Sequence, residues 1–263
     1  MRRQLALSLW ILVFAAFVPS ALEAQVSVKG SAVPAPSADA QLAQASRLWQ
    51  QMDRAPLPQK LDLLAQTMAN LALVRKQWPN DKRAVARSGI MQADLAAEFG
   101  ALPKAIDGLL EALPAASKTD MEPGVELRLG KAYEQIGNAA EAEKHFLGAE
   151  RTMHASHLNR VESEDILSST GLFYSRQQKP SEAIRRFHEA QRLPGQDVVN
   201  RATLQLQVLR EAVKINGETS IQEFASFDDL MAEAQRSTLG HGDAALIADV
   251  QKDAKSVREK SKP

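Results

Sequence analysis

A chain of 263 residues with 32 basic and 32 acidic side chains and no cysteine is long enough for a sizeable core. It can neither rest on disulfides nor use a thiol as nucleophile, redox centre or zinc ligand. Helix-forming Ala, Leu, Gln, Glu, Lys and Arg dominate, aromatics make up 5%, and zero net charge offers no basic excess for neutralising phosphates, which argues against nucleic acid as a partner.

Met1-Arg2-Arg3-Gln4 is a short basic start, and Leu5 to Val18 runs apolar with one serine. Pro19 to Ala24 closes the run with helix-breaking and small residues. This is the layout of a secretory signal peptide over residues 1–24, with cleavage after Ala24, although Leu22 is larger than usual and leaves the exact site open. The rival reading, an uncleaved anchor, needs ~20 apolar residues to span a membrane, and the run has fourteen. In both readings the rest of the chain lies outside the cytoplasm, periplasmic or secreted, and without cysteine it is not a lipoprotein. Removing residues 1–24 takes away Arg2, Arg3 and Glu23 and leaves 30 basic against 31 acidic side chains. Residues 25–40 are small, polar and proline-containing, which predicts a flexible linker.

Residues 41–81 read as a helical hairpin. Leu42 to Met52 supplies one helix, and Pro56 and Pro58 separate it from the next. There Leu61, Leu64, Met68, Leu71 and Trp78 share a face, and Pro79-Asn80-Asp81 ends it.

The strongest signal is an internal repeat over residues 82–195. In Pro123 to Glu150, residues Leu129, Gly130, Tyr133, Gly137, Ala142, Phe146 and Ala149 fit a hairpin of two antiparallel helices. Gly130 and Ala142 are small where the helices cross, Tyr133 and Phe146 fill the space on either side, and Gly137-Asn138 makes the turn. The pattern recurs forty-one residues later as Gly171, Tyr174, Ala183, Phe187 and Ala190, with Thr170 in place of the leucine and Gln178 in place of the turn glycine. A weaker copy precedes it by thirty-seven residues as Ala93, Ala96, Gly100, Ala105, Leu109 and Ala112. These residues resemble the tetratricopeptide repeat signature. The resemblance implies an all-α, right-handed solenoid of antiparallel hairpins with flanking capping helices. Since that family repeats every 34 residues, about seven extra residues belong near Met153–Glu162, where a loop is expected.

Residues 196–263 read as C-terminal capping helices and a basic tail. Val198 to Val213 covers the last repeat. Ser226-Phe227-Asp228-Asp229 is expected to open a short helix, and Asp243 another.

In the family that the repeat resembles, the first helix of each hairpin lines a concave groove. Its groove-facing positions fall here on Arg87, Ile90, Asp94 and Glu98, then Leu127, Lys131, Glu134 and Gln135, then Ser168, Leu172, Ser175 and Arg176. Mixed charge with a few apolar residues suits an extended or helical peptide. The Lys/Asn clamp with which some relatives grip a C-terminal carboxylate is absent, the matching pairs being Ile90/Asp94, Leu127/Lys131 and Ser168/Leu172.

Catalytic and metal chemistry find little support. His154 and His157 with Glu150 would share a face of a continuous helix, but they fall in the expected loop, and no fourth ligand is implied. His188-Glu189 lacks a second histidine at zincin spacing, and there is no phosphate-binding loop, dinucleotide fingerprint or nucleophile elbow. The sequence therefore predicts no catalytic residues, no metal, no cofactor and no small-molecule substrate. The expected function is an exported scaffold or adaptor that binds another envelope or secretion protein through its groove. The alternatives are a self-associating structural protein forming homo-oligomers and, further off, a metal-binding protein or enzyme.

Overall fold

The computed structural model of the protein describes residues 33–156, 158–215, 217–236 and 241–260. The segment expected to be a signal peptide, most of the expected linker and His157 lie outside the described residues. Eleven helices and no strand are found among the described residues, in two compact units that divide between Met121 and Glu122.

The first unit holds α1 (Ala38–Met52), α2 (Leu57–Gln77), α3 (Lys82–Glu98) and α4 (Leu102–Ala116). Ser37 and Asp81 cap α1 and α3, and Pro58 and Pro103 sit in the first turns of α2 and α4, where a missing N–H costs nothing. The helices pair as hairpins α1–α2 and α3–α4. Leu42, Ala45, Leu71, Val74 and Ala84 form one core cluster, and Met52, Leu63, Leu64 and Leu95 form another. Leu61, expected on the buried face of α2, is on its margin at 37% exposure. The α2 stripe is completed instead by Thr67 and Asn70, the latter hydrogen-bonded to buried Gln41.

The second unit holds α5 (Glu122–Gln135), α6 (Ala139–Ala155), α7 (Arg160–Arg176), α8 (Pro180–Gln191), α9 (Val198–Ala212), α10 (Gly217–Arg236) and α11 (His241–Lys260). Hairpins α5–α6 and α7–α8 stack, α9 packs on α8, and α10 and α11 pack on α9. Gly130 and Gly171 lie against Phe146 and Phe187. A Cβ at Gly171 would stand 2.6 Å from the Phe187 ring, and one at Gly130 3.0 Å from Phe146. In α3–α4 the aromatics are missing and the backbones close in. A Cβ on Gly89 would meet Ala112 Cβ at 2.5 Å and the Gly108 carbonyl at 3.0 Å.

All three repeat turns share one geometry. Gly100, Gly137 and Gln178 have φ of 72°, 79° and 56°. The next residue's N–H reaches five residues back in each turn: Ala101 to Ala96, Asn138 to Tyr133, Lys179 to Tyr174, at 2.8–2.9 Å. This is the helix C-cap that satisfies the last carbonyls by a left-handed residue.

Two expectations need correction. The loop near Met153–Glu162 is short, because the extra residues lengthen helices. Both α6 and α7 have 17 residues, against 14 in α5 and 12 in α8. Asn159 opens α7 with a reciprocal capping box to Glu162. Ser226 does not start a helix either; it lies inside α10, its Oγ donating to the Gln222 carbonyl at 3.2 Å. The apolar stripe of Phe224, Phe227, Met231 and Ala234 begins before Ser226 and carries the helix through it.

Candidate functional site

The groove-facing positions lie on α3, α5 and α7, and most of their polar groups are occupied by partners within the fold. In the first unit, Arg87 donates to Asp39 on α1 at 3.0 Å, and Glu98 accepts from the Trp49 indole at 3.0 Å. Ile90 and Asp94 between them are half-buried.

In the second unit, Lys131 on α5 donates to Asp165 on α7 at 2.9 Å, and Ser169 supports the same carboxylate at 3.0 Å. Arg176 holds Glu134 in a two-pronged contact at 2.6 and 2.7 Å, the geometry in which guanidinium and carboxylate match best. Ser175 donates to Glu211 on α9 at 2.6 Å, and Lys214 closes on Glu211 at 2.6 Å. Arg210 on α9 then reaches Asp253 on α11 at 2.9 Å. Helix α11 thus continues the row of first helices α5, α7 and α9.

Leu127 is the exception among the expected groove residues. At 6% exposure it packs in the core with Phe146, Phe173 and Phe187, so it presents nothing to a partner. Gln135 and Leu172 are exposed, and Ser168 is half-buried. Leu172 lies between the Lys131–Asp165 and Glu134–Arg176 pairs along α7. The partners Asp39, Trp49, Asp165, Glu211, Arg210 and Asp253 escaped the sequence reading. Their signal was spacing, since within the second unit each pair is separated by about one repeat, 34 to 43 residues.

The second helices are tied together in the same way but more deeply. Arg186 is 4% exposed, donates to Glu150 at 3.0 and 3.3 Å, also holds Glu182, and stacks over the Tyr174 ring at 4.7 Å. Burial works against its charge, and the hydrogen bonds and charge of Glu150 offset this and raise its pKa. Burial and a hydrogen bond with Glu143 push the Tyr174 hydroxyl up to about 12. His145 is buried, stacked flat on Tyr133 at 5.3 Å and 2.6 Å from Glu126. His154 is helical, not in a loop, and faces Glu189 at 3.5 Å. No group of three His, Asp or Glu side chains among the described residues is arranged to hold a metal ion.

No family profile and no curated protein sequence matches the chain. Solved structures do. The chain is similar to the protein described as Pseudomonas aeruginosa pilF, with 18% identity, TM-score 0.53, and 84% of this chain and 87% of that one covered. It is also similar to the nearly identical TPR-like repeats of a putative kinesin light chain from Podosopora anserina, with 14% identity, TM-score 0.54, and coverage of 77% and 100%. Together with the recurrent hairpin, its glycine–phenylalanine packing and its left-handed turn, these likenesses establish that the chain has the all-α tetratricopeptide-type fold.

Proposed function

We propose that the chain is an exported binding scaffold whose first-helix face docks a segment of another envelope or secretion protein. The observation that carries this reading is the state of that face in the second unit. Its charges are neutralised pairwise between neighbouring helices, which fixes the side chains before any partner arrives, while Leu172 stands 38% exposed among them. A surface of this kind rewards a partner that brings an apolar anchor with polar flanks, and gives little to one that brings net charge. The basic start and apolar run of residues 1–18 support export.

Affinity capture from an envelope extract tests it, using the mature chain beside a variant carrying Leu172→Asp and Ser168→Arg. A partner held by the first and lost from the second, with helicity equal in both, is the expected result. Partners retained by both would move the site to the second-helix face or the C-terminal helices. A second reading, self-association, is favoured by Ile221 and Leu246, which stand 72% and 45% exposed on α10 and α11. A mass in solution that stays monomeric as concentration rises would remove it.

A further inference from the structure

The contact between the last full hairpin and the C-terminal cap runs through one histidine. His188 on α8 presents Nδ1 to Gln191 Oε1 at 2.9 Å and Nε2 to Glu223 Oε1, on α10, at 3.0 Å. Which atoms donate here follows from groups that leave no choice. The Glu223 carbonyl and carboxylate can only accept from Gln205 on α9, so Gln205 Nε2 donates to both, at 3.1 and 2.7 Å. That makes Gln205 Oε1 an acceptor. Gln191 Nε2 donates to it at 2.9 Å and to the Arg201 carbonyl at 3.0 Å. Gln191 therefore turns its oxygen, not its nitrogen, toward His188. Both ring nitrogens face acceptors, and both must carry a proton for the network to be complete.

We propose that His188 is a proton-operated latch that fastens α10 to α8 and α9 as the imidazolium and loosens it when one proton leaves. The neutral ring sets a lone pair against either Gln191 Oε1 or Glu223 Oε1, and a buried polar network with one unmade bond loses more than that bond. Gln205 is 2% exposed and cannot turn to water to relieve the mismatch. Of the neighbouring charges, Glu223 on α10 faces the ring. Arg201 on α9 turns its guanidinium to Glu233 on α10, and on α6 His154 faces Glu189, beside His188. The latch guards the apolar stripe of Phe224, Phe227 and Met231, which packs on Val198, Ala202 and Leu206 of α9. The cap is therefore held most firmly where the ring carries both protons.

The test is hydrogen exchange of the α10 amides in the full chain, corrected for intrinsic rates, alongside a nitrogen-resolved titration of the His188 ring. Protection over Phe224–Met231 is expected to fall by about tenfold to a hundredfold, the worth of one hydrogen bond to a charged group, as the His188 ring loses its proton. In His188→Gln that pH dependence is expected to vanish. Should His188→Gln lose helicity, Glu223→Gln serves as the second variant and is expected to flatten the profile. The latch is overturned if wild-type α10 protection stays constant while His188 titrates, or if the same profile persists in a folded variant.

Discussion

At the scale of single residues, the close approaches and the turns make opposite predictions. Gly89→Ala places a methyl group 2.5 Å from Ala112 Cβ and 3.0 Å from a carbonyl oxygen, neither of which can swing aside. It is expected to cost about 1–3 kcal/mol, read as a lower denaturation midpoint with unchanged slope. Gln178→Gly is expected to stabilise by about 1 kcal/mol, since a non-glycine residue at φ 56° carries a strain that glycine lacks. Tyr174 gives a third prediction. Its hydroxyl is pushed up to about 12 by burial and the bond to Glu143, so the folded state retains a proton that the unfolded chain releases near 10. The stability from this group is complete below pH 10 and is lost as pH rises from 10 to 12. In a Tyr133→Phe variant Tyr174 is the sole tyrosine, and its absorbance titration is expected to centre near 12; a midpoint near 10 would refute the assignment. The glycines of the turns were legible in the sequence because glycine is chosen for its backbone. Gly89 was not, because the repeat pattern falls one turn later, on Ala93, and the packed hairpin alone shows which small residue the opposite helix touches.

At the scale of elements, the second helices are bound across the repeat by charges that leave water. Arg186→Met removes the partner of Glu150, whose side chain is 15% exposed, and is expected to cost about 3 kcal/mol by stranding that carboxylate. Lys131→Met on the first-helix face removes an exposed pair, and less than about 1 kcal/mol is expected. Urea denaturation of the two variants side by side distinguishes the faces; equal losses would contradict the assignment of the deep network to α6, α7 and α8. The helices were predictable because periodicity and caps are local. Their ends were less so. The loop expected near Met153–Glu162 is shortened because Met153 and Ile166 each find a place in the core. Ser226, which lies inside a helix, reads as a cap because cap chemistry cannot be told from interior back-bonding without the neighbouring helix.

At the scale of the whole molecule, export is tested by isolating the protein from an extracytoplasmic fraction and determining its first residue, expected to be Gln25. Recovery of an intact Met1 from the cytoplasm would remove the envelope from the proposal. The fold was legible in the sequence: small residues, with a leucine or a phenylalanine between them, recur at spacings of thirty-seven and forty-one residues, the mark of stacked hairpins. The sequence also placed the first-helix positions in order along the chain. What those positions can do rests on the packing of the helices around them. A charged side chain is committed or available according to what the next helix brings within about 4 Å, and that depends on the packing angle between repeats, which no local pattern encodes. For this reason Lys131, Glu134, Ser175 and Arg176 prove to be cross-ties between helices, Leu127 a core residue, and Leu172 the apolar side chain left facing out.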